Sequence, residues 1–434
     1  MADALAGGSE PPEDSLEATF ARQAEAAGIV LPKKRHRDPW TAAAIVVAIF
    51  LVTAGLGEVT GWINLRQTPA GWNYQTESCT GTSNVHAVGT VSAALGPSYM
   101  AWMSSVASSM AKTVGQCFDL NLTGTAGDGY VPPLGATGSE FAATYALPSV
   151  SEEKSLPYPV VTLPVSLNAV AVIYNLPGAA TGLNLTGAAL AGIYNGSITS
   201  WNSPSIAAAN PGFDLSSAPS LVPYHVATTS ASSAAFTGFL ASVNSAWSAR
   251  EGAGPTVSWP AGPGVASDAA MVATVSATPG AVGYLEIYGA PPAGVGVANI
   301  EDRAGDFASP TDVDVWVAAE SVTNSTAALA NDWSALSLAN ATAVDSYPLA
   351  VFSYVALYTD LGVAYSGTLS LTNASWLLGY VYWLTAEVSV APLPTLYETA
   401  AVTVLNNETF DGTKIMNLEN EATEGSEGGE TGEF

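Results

Sequence analysis

Between about residues 85 and 410, short apolar β-prone runs alternate with longer Ala-rich segments of helical period, and this alternation most limits the folds open to the chain. Strands are expected at Pro159–Val165 and Ala169–Tyr174, and helices at Thr186–Tyr194, Ser233–Asn244 and Asp268–Ala277. Strands that alternate with helices bury their faces best in an α/β body with parallel sheets. The turns Leu176-Pro177-Gly178, Asn210-Pro211-Gly212 and Thr278-Pro279-Gly280 punctuate the elements, and no repeat period is evident.

With 434 residues, 48% of them hydrophobic, the chain can bury one large domain or two lobes. Its formal charge is −26, yet charged residues make up only 11%, so the acidity comes from missing bases. Arg22, Lys33, Lys34, Arg35 and Arg37 precede residue 40, and only Arg66, Lys112, Lys154, Arg250, Arg303 and Lys414 follow. A body so poor in cations cannot neutralise many phosphates, which excludes nucleic acid as a partner. Two readings of the base-poor, Ser/Thr/Asn-rich surface stand: adaptation to acid surroundings, where carboxylates protonate, or a neutral, glycosylated exterior.

From Pro39 to Gly57 there is no charge, and at about 1.5 Å per residue the run approaches the ~30 Å hydrocarbon core of a bilayer. Lys33-Lys34-Arg35-His36-Arg37 precedes it, so residues 1–38 are expected in the cytoplasm, 39–62 as a transmembrane anchor with Trp40 and Trp62 at its interfaces, and the rest outside. A cleaved signal peptide competes, but the preceding segment is long and no A-x-A site closes the run. Residues 63–84 read as a linker, and 411–434 as an acidic disordered tail. Cys79 and Cys117, the only cysteines, lie beyond the anchor, where a disulfide would persist and contribute ~3–4 kcal/mol; two buried thiols are the alternative. Sequons at Asn121, Asn184, Asn195, Asn324, Asn340, Asn373 and Asn407 also fall outside.

One stretch carries a specific pattern. Leu185 to Gly212 reads as a helix, then Ile193-Tyr-Asn-Gly-Ser-Ile-Thr-Ser-Trp201, then Pro204-Ser-Ile206, then Asn210-Pro-Gly212. Leu185, Leu190 and Ile193 would pack the helix, Gly196 end it, Trp201 plug the interior and Pro204 start the next helix. Further segments follow in order: Ala171–Gly178, Ser232–Leu240 with Trp247, Val257-Ser-Trp-Pro260 with Gly262 and Gly264, Thr278–Tyr284, Tyr347–Tyr358, and Pro392–Asn407. Together these resemble the PstS-type phosphate-binding proteins of ABC importers over about three quarters of the chain. The resemblance implies an α/β, two-lobed type II periplasmic-binding fold, with lobe I at 85–165 plus 291–410 and lobe II at 166–290. It also implies a protein that takes phosphate or a similar small polar ligand and delivers it to an ABC permease; that the body is extracytoplasmic is expected from the anchor, and that it is no enzyme from the absence of catalytic motifs.

The family's ligand loops map onto altered residues. The first falls on Gly89–Leu95, placing Ala93 where the family has a ligand Thr, with Ser92 adjacent. The second falls on Ala126–Tyr130 and puts Asp128 for Ser; the third, Phe141–Tyr145, includes Thr144 and puts Tyr145 for the proton-accepting Asp. The fourth falls on Val226–Ser232, with Val226 for Arg and Thr228 for Asp, while Ser230 and Ser232 keep hydroxyls. A buried anion without a counter-charge depends on hydrogen bonds and helix ends. The ligand set implied is Ser92, Ala93, Asp128, Thr144, Tyr145, Thr228, Ser230 and Ser232, with His225 a candidate stand-in for Arg and His86 a second histidine. No metal-ligand spacing, cofactor motif or G-x-S-x-G appears. The competing function is a glycosylated surface protein, structural or adhesive, that self-associates and has lost transport.

Overall fold

The computed structural model describes residues 73–75, 85–114, 117–125, 134, 138–147, 153–177, 182–322, 337–387 and 390–415. The strands are β1 Asn73–Gln75, β2 Val85–Ser92, β3 Phe118–Thr125, β4 Phe141–Thr144, β5 Val160–Tyr174, β6 Asn184–Leu185, β7 Val222–Pro223, β8 His225–Val226, β9 Gly264–Val265, β10 Ala281–Ile287, β11 Gly296–Val297, β12 Asn299–Glu301, β13 Phe307–Ala308 and β14 Ala350–Tyr358. The helices used below are α1 Gly96–Val114, α2 Gly187–Tyr194, α3 Pro204–Ala209, α4 Ala231–Val243, α5 Ser245–Arg250 and α6 Asp268–Ala277.

Most strands join one nine-stranded sheet in the order β1-β3-β2-β4-β14-β5-β10-β7, with β11 also on β5. Parallel pairing, expected from the alternation of elements, holds for β2 with β3 and β4 and for β10 with β7. The centre differs: β14 runs antiparallel to β4 and β5, and β10 antiparallel to β5. The sheet is therefore mixed.

The strands expected at 159–165 and 169–174 are a single 15-residue strand, β5. Pro164 reads as a breaker because it has no N–H for the ladder. The pairing with β14 absorbs it, since the register shifts between Ser353 and Tyr354, and Tyr354 lies opposite Pro164.

Two hydrophobic cores flank this centre. Tyr99, Met103, Phe118, Phe141 and Tyr380 anchor the first, and Tyr174, Tyr194, Trp201, Phe236 and Tyr284 the second. β5 contributes Leu163 and Val165 to the first core and Leu167 to Tyr174 to the second; β14 gives Val355 to Tyr358 to the first and Ala350 and Phe352 to the second. Both long strands thus run from one core into the other.

Around the second core the local signals act as the sequence indicates. Thr186 caps α2 by accepting from Ala189 N at 3.0 Å, and Gly196 leaves the helix at φ +80°. Trp201 is fully buried and its Nε1 donates to Gly280 O at 2.9 Å; Pro204 opens α3. Ser230 caps α4, which begins at Ala231, earlier than the Ser233 expected, and Ser267 caps α6.

The anchor read at 39–62, the cytoplasmic and linker segments before residue 73, the tail beyond Ile415, Asp128, Cys79 and Asn324 lie outside the described residues. Among the described residues no helix is long and apolar enough to cross a membrane. Cys117 is half-buried, and the partner expected for it, Cys79, lies outside the described residues.

Candidate functional site

The site begins where a loop from the first core meets a helix end of the second. Past β2, Ser92 is buried and its Oγ accepts from Ala94 N at 3.4 Å, while Leu95 N bonds Ser92 O at 3.0 Å; this tight turn leads through Gly96 (φ +74°) into α1. Across from it, Ser230 caps α4 by accepting from Ser233 N at 3.3 Å. The Ala231 N–H, exposed by helix geometry at the first turn, donates to Ala94 O at 3.1 Å. A helix N-terminus is an electropositive place for an acceptor, and here a backbone carbonyl fills it.

Behind the cap lies a chain of buried polar side chains. Ser230 Oγ and Ser232 Oγ are 2.6 Å apart, and Ser232 donates to Asp268 Oδ1 at 2.9 Å. Asp268 opens α6, where an acid suits the helix dipole, and its Oδ2 accepts from Glu286 N at 3.1 Å. On β10, Glu286 is 5% exposed and accepts from Asn168 Nδ2 at 3.1 Å; the same Nδ2 reaches Ser166 Oγ at 3.1 Å. Ser166 and Ser353 share a hydrogen bond, and Ser353 donates to the Tyr99 hydroxyl at 3.0 Å. The chain runs from the α4 cap, across β10, β5 and β14, to α1.

Burial dominates its electrostatics. It pushes the Asp268 carboxyl up to about 6, against the bonds from Glu286 N and Ser232 that favour the charged form. Burial also pushes Glu286 up to about 8, with the Asp268 charge adding to the shift. Asp268 and Glu286 line a cavity of about 480 Å³ with Trp102 and Tyr288, and Asp268 keeps part of its surface open to it. A second cavity, about 390 Å³, is lined by Tyr145, Ala231, Glu286, Phe352 and Tyr354. Among the described residues no cation lines either cavity, and Lys112, Lys154, Arg250, Arg303 and Lys414 are all exposed.

The structure brings together part of the ligand set read from the sequence. Ser92, Ser230 and Ser232 gather at the α4 cap, Ala93 stands exposed beside them, and Tyr145 is half-buried against the smaller cavity. Thr144 turns away: its Oγ1 donates to Ala146 O at 3.1 Å and accepts from Ala146 N at 3.2 Å. Thr228 is exposed and donates to Ala266 O at 3.2 Å. Val226, at the family's Arg position, is buried, its N–H donating to the Tyr284 hydroxyl at 3.2 Å. His225 stacks on Trp259 with ring centroids 4.9 Å apart, and burial holds it below the ordinary histidine value. His86 meets Asn373 on the exposed surface.

Asp268, Glu286 and Asn168 were missed. A signal existed for Glu286, the one charge inside the apolar run Ala281–Ile287, and for Asn168, a lone amide between Leu167 and Ala169. A buried polar group needs a partner, so each pointed to a contact that periodicity does not reveal.

A family model described as "PBP superfamily domain" matches residues 136–388. The chain is 27% identical to the phosphate-binding protein PstS of Xylella fastidiosa over 232 residues, 53% of this chain and 62% of that protein. It is 31% identical to the phosphate-binding protein PstS of Methanocaldococcus jannaschii over 209 residues, 45% of this chain and 53% of that protein. The chain therefore spans about half the length of the curated relatives it matches. Among solved structures, a phosphate-binding protein from Stenotrophomonas maltophilia aligns with a TM-score of 0.48 at 17% identity, over 72% of this chain and 92% of that one.

Proposed function

Because the chain belongs to the PBP superfamily and is similar to PstS phosphate-binding proteins, we propose that it is an extracytoplasmic solute-binding protein for phosphate or a related oxyanion, held in protonated form. The observation that carries this reading is the α4 cap, where Ser230, Ser232 and the Ala231 N–H face a loop of the other core across the strands that join the two. Helix-end N–H groups and hydroxyls can hold an oxyanion, and the Ala94 carbonyl marks where an acceptor sits. Two lobes hinged on β5 and β14, in a type II arrangement, would open this contact and close again on the ligand.

A dianion buried without a cation is costly, so the missing Arg favours a ligand that carries its own protons. Such a ligand can donate to carboxyl and hydroxyl oxygens while the N–H groups donate to it. Calorimetry of the full chain with inorganic phosphate should give binding at pH 3–4 and weaker binding at pH 7. Absence of heat at both, with the fold intact, would refute it.

The charge-free run at 39–57 supports a tether with residues 1–38 in the cytoplasm, the body outside, and an ABC permease as recipient. Protease added to intact cells should remove the body and spare residues 1–38; the reverse pattern would reverse the topology. Asn195 and Asn407 are exposed enough to carry sugar, whereas the Asn184 amide is engaged with Ala209 O at 3.2 Å and Asn299 Nδ2 at 3.1 Å.

The direct Ala94–Ala231 bond also favours a second reading, a surface protein whose cleft stays shut and takes no solute. Calorimetry separates the two.

A further inference from the structure

The hydroxyl chain behind the α4 cap has a direction, and one carboxyl fixes it. An ionised carboxylate only accepts, so Ser232, 2.9 Å from Asp268 Oδ1, must give it its proton. Ser232 can then only accept from Ser230, 2.6 Å away. Ser230 already accepts from Ser233 N at 3.3 Å, so its single hydrogen is spent inward. In this state both hydroxyl hydrogens are donated inward, and Ser230 has only lone pairs left to offer.

Protonation of Asp268 reverses the chain. Its Oδ2 is committed to the Glu286 N–H at 3.1 Å, so the proton belongs on Oδ1 and is donated to Ser232. Ser232 then donates to Ser230, whose hydrogen is released toward the cleft. One proton, taken from solvent and placed away from the ligand, converts the cap from acceptor to donor.

We propose that Asp268 is a positioning residue that sets the hydrogen-bond polarity of the oxyanion site through Ser232 and Ser230, presenting a donor when it is protonated and an acceptor when it is not. This rests on the α4 cap being the site. The surroundings do not oppose it. β10 brings Glu286, Tyr284 and Tyr288 toward Asp268; β8 carries His225, stacked on Trp259; α4 offers only hydroxyls. No Lys or Arg among the described residues is buried near enough to replace the proton, since all are exposed. Burial raises Asp268 to about 6 and Glu286 to about 8, so Asp268 ionises before its neighbour.

The isosteric variant D268N locks the donor state. Its amide oxygen can accept from Glu286 N while its NH₂ donates to Ser232, which no proton can undo. Binding of inorganic phosphate to the full chain is measured from pH 4 to 8 for the wild type, D268N and S232A. Phosphate's own ionisation falls in this range but acts on all three alike. At pH 4 the wild type and D268N should bind within about threefold of each other; by pH 8 D268N should bind at least about tenfold tighter, the equivalent of one displaced proton equilibrium. S232A cuts the relay, so its affinity relative to D268N should stay level with pH.

Parallel pH profiles for the wild type and D268N, or a wild-type profile in S232A, would overturn the proposal while leaving phosphate binding in place. No binding by any of the three at any pH, with circular dichroism unchanged, would overturn the binding function and this proposal with it.

Discussion

The two halves of the molecule treat their polar loop residues in opposite ways. In the first core, Thr144 closes on Ala146, Ser92 bonds Ala94 of its own turn, and the side that meets the cleft offers a backbone carbonyl, Ala94 O. In the second core, Ser230, Ser232 and Asp268 belong to helix starts, and their groups link to one another and on to the strands that join the halves. In the proposed function the groups that would hold a ligand are therefore concentrated on one side, and the other would act as a cover. A helix start leaves N–H groups that want acceptors, so capping hydroxyls there are already aimed at a shared point; a turn satisfies its own.

The largest effect that would break this contrast is packing rather than chemistry. Trp201→Ala in the second core removes a fully buried ring and its bond to Gly280 O, and should cost ~3–5 kcal/mol in urea unfolding. Loss of the second core alone, with first-core fluorescence retained, would show the halves unfolding separately; a single transition would show one cooperative unit.

Next in size is the pH dependence of stability. Asp268 and Glu286 have folded-state pKa values of about 6 and about 8, above the ordinary 3.8 and 4.5, so the native state binds more protons than the unfolded chain. Their favourable effect is complete below the ordinary values and is lost as pH rises through about 6 and about 8. Stability should fall by up to about 1.4 kcal/mol per pH unit for each extra proton held, and Glu286→Gln should flatten the upper part of the curve. A protein more stable at pH 8 than at pH 4 contradicts the assignment.

Smaller still are the hydroxyl deletions. Ser230→Ala removes a cap and should cost ~0.5–2 kcal/mol while weakening phosphate binding. Thr144→Val and Thr228→Val should leave phosphate binding within about twofold, since their hydroxyls are spent on Ala146 and Ala266. If Thr144→Val abolishes binding, the cover is more than a cover.

Much of the second core was legible because its signals are local. Thr186, Gly196, Pro204 and Ser267 each fix a helix boundary through bonds within a few residues, and Trp201 announces its own burial by size. β5 was not legible, because Pro164, Ser166 and Asn168 look like a break until β14 supplies a bulge and partners for them. The Asp268–Glu286 contact was hidden for a related reason. Asp268 begins a helix and Glu286 ends a strand, so only the return of the chain after α6 brings them together. The losses at Ala93, Tyr145 and Val226 were plain from the sequence. What could take over from them was not, since in the proposed site the Ser230–Ser232 cap leans on Asp268, which lies outside the family's ligand loops.

The most direct measurement is a phosphate titration at pH 4 followed by the amide resonances of Ala231 and Ser232 in the full chain. The account predicts that both shift as phosphate replaces the Ala94 carbonyl, while the amide of Thr144 stays still. Saturable binding that leaves Ala231 unmoved would place the ligand elsewhere and contradict the account.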